Sequence, residues 1–220
     1  MFEMSLRMPA IARRGALALM VAAANLFAAA PASAAPPAEA FIATNVAKGL
    51  TILNNTGASE AQRKSQFQTF ILGLTNMRRI ANFTLGQYYR TASPQEQDQF
   101  AAAFQNYAVA VYQSYFAKYS GQTLQVFGSQ ERAPGDTIVQ THLIDPSDTS
   151  GKQPLEVDFR VVNDNGRMVI IDFGVAGIWI AIEEQAQFTS FLGNNNGSIA
   201  KLIADVNAKR KQVEAGTNSN

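Results

Sequence analysis

Cysteine is absent from the 220-residue chain, and histidine occurs once, at His142. Without a thiol, the protein has neither disulfide bonds nor thiolate metal ligands, and it cannot use cysteine as a nucleophile. His142 lies between Thr141 and Leu143, in a strand-like segment without a serine motif. We interpret it as a structural or exposed residue and predict no catalytic residue, no metal and no cofactor.

Charge of one sign is also lacking, because 18 basic residues balance 17 acidic residues. Nucleic-acid binding depends on many lysine and arginine contacts to phosphates, so this balance argues against nucleic acid as a partner. No polybasic cluster is present that could hold the protein on an anionic membrane. The chain is instead rich in aromatic residues, with 14 phenylalanines and 6 tyrosines.

The N-terminal segment has the pattern of a secretion signal. Arg13 and Arg14 precede an apolar run over residues 15–30, and small residues follow at 32–34. This order predicts cleavage after Ala34 and export of the mature chain. The apolar run is short for a membrane span, although an uncleaved anchor is the alternative interpretation.

Helical spacing dominates the chain that follows this signal. Apolar residues recur every three or four positions over residues 42–53 and 67–74. Ser93 and Glu96 form a predicted capping box at the start of a long helix, and Gly121 is predicted to end it. Its apolar stripe consists of Phe100, Phe104, Tyr107, Val111 and Tyr115.

Beyond Gly121 the apolar period changes to two, as in β-strands. Apolar and charged residues alternate over 155–161, and Asn163–Gly166 predicts the turn of a hairpin whose second strand includes 169–175. Helical spacing returns after Gly177. The predicted fold class is α+β, with N-terminal helices, a curved antiparallel sheet of about four strands and C-terminal helices around an apolar pocket.

These elements predict one domain over residues 35–208, preceded by the signal peptide at 1–34. The segment 209–220 is charged at first and then consists of small polar residues, which is typical of a disordered tail.

The best candidates for reactive side chains are four carboxylates. Asp158 and Asp172 are predicted on adjacent strands, but they alternate with apolar residues, so we interpret them as solvent-facing. Glu183 and Glu184 point about 100° apart on a helix and cannot act together on one substrate atom. Because a filled core and a cavity have the same periodicity, the pattern alone indicates only an α+β domain.

Several sequence blocks resemble the MlaC family of periplasmic phospholipid-binding proteins, over roughly residues 37–207. Each block is short, but their order and spacing together are typical of that family. The blocks are Met77–Arg90, Ser93-Pro94 with Phe100 and Phe104, Tyr112, Tyr119–Gly121, Val157–Arg160, Ile171–Gly177 and Gln187-Phe188.

The chain departs from the family pattern at two places. Where the family usually has Gly-Val-Ser-Leu after the last strand, this chain has Gly177-Ile178-Trp179-Ile180. Gln185 replaces a basic residue that the family commonly carries before Gln187-Phe188. A branch associated with hopanoid lipids resembles the chain as well, so the expected ligand is a phospholipid or a hopanoid.

The resemblance implies a carrier that shuttles lipid between an outer-membrane lipoprotein complex and an inner-membrane ABC transporter with an MCE-domain subunit. Alternatives are a non-catalytic envelope scaffold and an enzyme on a related α+β fold. By position, the resemblance also implies an apolar lining for the lipid tails. The candidates are Phe83, Leu85, Tyr88, Phe104, Tyr107, Val111, Val126, Val139, Phe159, Val161, Phe173, Val175 and Trp179.

Overall fold

The structure is a computed structural model that describes residues 36–116 and 119–216, and the predicted signal peptide lies outside the described residues. Within these two segments the chain forms six α-helices, one 3-10 helix and five β-strands. None of the helices in this part of the chain combines the length and apolar character needed to span a membrane. In chain order the elements are α1 (Pro37–Leu53), α2 (Glu60–Leu74), α3 (Met77–Thr84), the 3-10 helix (Gly86–Arg90), α4 (Pro94–Phe116), β1 (Thr123–Ala133), β2 (Asp136–Ile144), β3 (Leu155–Asp164), β4 (Arg167–Val175), β5 (Ile178–Trp179), α5 (Ile180–Asn194) and α6 (Ile199–Glu214).

The strands form one antiparallel sheet in the order β1-β2-β3-β4-β5, which confirms the predicted α+β fold class. The sheet has one strand more than expected. Residues 178–179 pair with the end of β4, where the sequence predicted the start of a helix. A strand of two residues is too short to show an alternating pattern, so only the pairing with β4 reveals it.

The turn between β3 and β4 follows from its sequence. Asn165 and Gly166 both have positive φ, at 54° and 84°, as a two-residue hairpin turn requires. The side-chain oxygen of Asn163 accepts the N–H of Gly166 at 2.7 Å, and Asp164 pairs with Arg167. The predicted hairpin is therefore confirmed.

The capping box at the start of α4 is also confirmed. The backbone N–H of Ser93 donates to Glu96 Oε2 at 2.9 Å, and the N–H of Glu96 donates to Ser93 Oγ at 3.3 Å. Helix α4 is described as far as Phe116, and residues 119–120 are no longer helical, so Gly121 is not the residue at which the helix ends. Gly121, with φ of 103°, lies in the connection to β1 instead.

Replacing Ser93 with alanine is expected to lower the free energy of unfolding by about 1 kcal/mol, because the first turn of α4 loses its side-chain acceptor. Urea denaturation measures the change. Ser65→Ala, on the exposed face of α2, is the control and should shift stability by less than about 0.5 kcal/mol. Equal effects of the two substitutions would contradict a capping role for Ser93.

The C-terminal helix is longer than predicted, and this corrects the disordered tail proposed from residue 209. Helix α6 continues to Glu214, with Val213 only 8% exposed. Ion pairs one helical turn apart join Asp205 to Lys209 at 3.4 Å and Arg210 to Glu214 at 3.6 Å, which suits a helix. Residues 217–220 lie outside the described residues.

Two separate groups of buried side chains form the core. The helical cluster joins α3, α4, α5 and α6, and the α1–sheet cluster joins α1 to β2 and β3. The space between sheet and helices is therefore not filled uniformly, and it contains the cavities described below. The helical cluster includes Met77, Leu85, Phe100, Phe104, Phe188, Leu192, Leu202 and Val206. The α1–sheet cluster consists of Ala38, Ile42, Val139 and Val161.

Candidate functional site

Two cavities have predominantly apolar walls, and the larger of these two, with a volume of about 260 Å³, lies between α1, α2 and the sheet. Among the described residues that line it, none is Asp, Glu, Lys, Arg or His. A void of this size with apolar walls suits an apolar ligand better than water, since water needs polar partners. The lining consists of Ile42, Asn45, Val46, Gly49, Leu50, Leu53, Phe67, Phe70, Ile71, Leu74, Tyr119, Gln122, Thr123, Leu124, Leu143, Phe159 and Ile170.

Helix α2 forms one wall of this cavity without packing tightly onto the domain. None of its residues is fully buried. Leu72 packs against the helical cluster, whereas the cavity is lined by Phe67, Phe70, Ile71 and Leu74. Gly49 of α1 allows α2 to approach, because a Cβ atom at this position would lie 3.3 Å from the ring of Phe70 and 3.8 Å from that of Phe67. Most of the apolar side chains of α2 thus border a cavity rather than a filled core.

The smaller cavity, of about 90 Å³, lies between α3, α4, α5 and β4. Its walls are apolar on most sides, but five polar side chains also reach it. The lining consists of Thr75, Met77, Ile80, Phe104, Tyr107, Ala108, Val111, Tyr112, Ile170, Ile171, Asp172, Phe173, Ile180, Ala181 and Glu184.

Glu184 is half-buried at the smaller cavity. The Tyr107 hydroxyl donates to Glu184 Oε1 at 3.4 Å, and Glu184 Oε2 is buried without a hydrogen-bond partner in the protein. Burial raises the pKa of this carboxyl, against the opposing effects of the Lys209 charge and the Tyr107 hydrogen bond. The neighbouring Glu183 is exposed, so the two carboxylates diverge as their helical spacing predicts.

Asp172 was interpreted as solvent-facing, and this was wrong, because its residue is only 7% exposed. Its Oδ1 accepts the N–H groups of Ala181 and Phe173, each at 2.8 Å. Trp179 provides no side-chain cap for α5, so Asp172 supplies the missing acceptor from the neighbouring strand. Burial raises the pKa of Asp172, and these hydrogen bonds oppose the shift. Burial, followed by the charge of Asp172, raises the pKa of Tyr112 to about 12.

Glu184→Gln is expected to weaken the pH dependence of stability. Because the folded-state pKa is raised, the folded protein binds more protons than the unfolded chain above the ordinary value of 4.5. The free energy of unfolding therefore falls as the pH rises from that value through the raised pKa, and glutamine removes this contribution. Urea denaturation across the window measures the slope. Glu183→Gln is the control, and an equal change of slope in both variants would contradict the assignment to Glu184.

Five of the thirteen residues chosen as lining candidates lie on the two cavities. Phe104, Tyr107, Val111 and Phe173 line the smaller cavity. Phe159 lines the larger one. The long helix α4 and the β3–β4 hairpin therefore contribute to the site.

The structure places other candidates outside both cavities. Leu85 lies in the helical cluster, and Tyr88 packs against it. Helical spacing is as compatible with packing in this cluster as with lining a cavity. Val126, Val139 and Val161 pack in the α1–sheet cluster beneath α1.

Three candidates lie at the surface or at the edge of the sheet. Phe83 is 44% exposed, because it lies at the end of α3 and points away from the helical cluster. Val175 pairs with Ile178 where β4 meets β5. The indole of Trp179 packs against Gly174, so the large ring that replaces the usual family residue covers the sheet and lines neither cavity.

The sequence analysis missed the walls formed by α1 and α2. Ile42, Val46 and Leu50 recur at helical spacing, as do Phe67 and Ile71. That spacing identifies an apolar face but does not distinguish a face that packs from one that borders a cavity. Ile170, which lines both cavities, was missed because it lies in a strand whose alternation of side chains is interrupted by a bulge that the sequence does not reveal.

His142 lies away from the cavities. Its ring stacks on that of Phe127, with ring centroids 4.1 Å apart, on β1 and β2. Within residues 36–116 and 119–216, no group of three His, Cys, Asp or Glu side chains is placed to hold a metal ion.

An open antiparallel sheet, covered by helices over apolar cavities, places the chain in the class of α+β proteins with helices packed on a sheet. The model of the family described as MlaC protein matches residues 43–208. The chain therefore belongs to the MlaC family, as the sequence blocks indicated.

A solved structure has the same fold. It is a phospholipid-binding protein from Ralstonia solanacearum, determined in complex with a phospholipid. The match has a TM-score of 0.69 and 19% sequence identity, and it covers 80% of this chain and 98% of that chain. At this low identity the similarity establishes the fold alone.

Proposed function

We propose that this protein binds a phospholipid and holds an acyl chain in the larger cavity. The observation that carries the proposal is the apolar character of that cavity, whose lining within residues 36–116 and 119–216 includes no Asp, Glu, Lys, Arg or His. Each methylene group removed from water contributes about 0.8 kcal/mol, so an acyl chain of about 16 carbons gains on the order of 10 kcal/mol. Membership of the MlaC family and the phospholipid bound to the Ralstonia protein support the same ligand class.

The size of the cavity indicates how such a ligand enters. Ligand pockets usually have volumes of about 300–1,000 Å³, and the larger cavity, at about 260 Å³, lies just below that range. Helix α2 is the wall most easily displaced, since none of its residues is fully buried. We expect α2 to move outward when lipid enters.

We further propose that the protein is a non-catalytic periplasmic carrier. The predicted signal peptide and the family support this role. Its partners would be an outer-membrane lipoprotein complex and an inner-membrane ABC transporter with an MCE-domain subunit. Because an apolar cavity retains lipid strongly, release requires a docked partner that offers an equally apolar path.

Native mass spectrometry of the chain recovered from the cell-envelope fraction, followed by organic extraction, tests the ligand. A phospholipid in stoichiometric amount supports the proposal. A hopanoid would identify the alternative cargo. A ligand-free mass that stays unchanged after incubation with phospholipid vesicles would overturn the lipid-binding function and favour a scaffold.

A further inference from the structure

Ile170 of β4 is the one residue that lines both cavities within the described part of the chain. On one side of it lies the larger cavity under α1 and α2. On the other side lies the smaller cavity, with Glu184 and Asp172 among its walls. The two spaces therefore meet at this side chain.

A β-bulge explains why β4 can face both spaces. Val161 pairs with Ile170 and Arg160 pairs with Asp172, so Ile171 is an extra residue without a partner on β3. A bulge of this kind interrupts the alternation of side chains and changes their direction. As a result, the consecutive residues 170–173 all border the smaller cavity, while Ile170 also borders the larger one.

The end of α2 completes the boundary between the cavities. Thr75 forms an isolated parallel bridge with Ile170, which brings the end of α2 against β4. The Thr75 hydroxyl donates to the backbone oxygen of Ile71 at 3.3 Å. Ile71 lines the larger cavity and Thr75 lines the smaller one, so the boundary passes through this single turn.

We propose that Ile170 is a specificity-determining residue that separates the acyl-chain compartment from the smaller cavity and thereby limits the length of chain that is bound. This inference rests on the proposed lipid-binding function. In the wild-type protein, an acyl chain that fills the larger cavity meets the branched side chain of Ile170. Alanine at this position removes three carbons and joins the two spaces, so a longer chain extends past β4 toward Phe104 and Val111.

Exchange with vesicles of phosphatidylcholines that differ only in acyl length tests the inference, using the full chain recovered from the envelope fraction. Native mass spectrometry measures the lengths that are bound. Ile170→Ala is expected to shift the distribution toward longer chains. Each additional methylene group that moves from water into the joined cavities should raise the relative occupancy about fourfold. Val169→Ala is the matched control, since Val169 is the preceding residue, is fully buried and lines neither cavity.

The outcomes separate this inference from the proposed function. A wild-type protein that takes up no lipid would overturn the lipid-binding function itself. If the wild-type protein binds lipid and Ile170→Ala binds the same distribution of acyl lengths, the role of Ile170 alone is overturned. Equal shifts in Ile170→Ala and Val169→Ala would overturn that role as well. If Ile170→Ala does not fold, Ile170→Val replaces it and should shift the distribution in the same direction by a smaller factor.

Discussion

Ile71→Asp is expected to lower the affinity for phospholipid by at least about a hundredfold. The side chain of Ile71 lines the larger cavity, and no lining residue in the part of the chain that the structure describes carries a charge that could pair with a new carboxylate. In the lipid-bound protein the new carboxylate would lie against the carbon atoms of the acyl chain, which is strongly unfavourable. Lipid exchange from phospholipid vesicles, followed by native mass spectrometry, measures the loss.

Gln66→Asp is the matched control for this substitution. Gln66 lies on the exposed face of the same helix, α2, so the variant introduces the same charge outside the cavity. It should retain wild-type lipid occupancy. Circular dichroism establishes that both variants fold, which we expect because α2 contributes no fully buried residue. Wild-type occupancy in a folded Ile71→Asp protein would show that the lipid does not occupy this cavity.

Phe188→Ala is expected to lower the free energy of unfolding by about 3–5 kcal/mol, because it leaves a large void in a filled core. Phe188 is fully buried in the helical cluster. Its ring makes edge-to-face contacts with Phe100, with centroids 5.8 Å apart, and with Phe104, with centroids 6.3 Å apart. Such aromatic pairs add to the free energy gained from burial alone. Urea denaturation measures the change.

Phe83→Ala provides the comparison for Phe188, since it removes the same group from a surface position. Phe83 is 44% exposed, and its substitution should change the free energy of unfolding by less than about 1 kcal/mol. It should also leave lipid occupancy unchanged, because Phe83 lines neither cavity. A larger loss of stability for Phe83→Ala than for Phe188→Ala would contradict the division between the surface and the helical cluster.

Local interactions explain the parts of the fold that could be predicted from the sequence. Asn165 and Gly166 adopt the positive φ angles of a hairpin turn, and Ser93 with Glu96 caps α4 through neighbouring backbone groups. Both motifs depend on residues within a few positions of one another. The antiparallel sheet followed from alternation along its strands, and the family followed from the order of short sequence blocks.

Features that depend on distant residues were predicted less well. Phe100 and Val111 both lie on the apolar stripe of α4, yet Val111 borders a cavity and Phe100 is enclosed in the helical cluster. The difference arises from which elements lie opposite each side chain, and periodicity contains no information on that. Asp172 was likewise misassigned because its partner, the start of α5, lies nine residues away across a turn.

The sequence by itself determined the class of the fold, the hairpin turn, the capped helix and the family, since each is encoded by neighbouring residues or by their order. Only the tertiary structure decided where the core is filled and where it is open. Gly49 lets α2 approach α1, and the bulge at Ile171 brings Ile170 between two cavities. A cavity is the space left when separate elements pack together, so its shape depends on all of them at once.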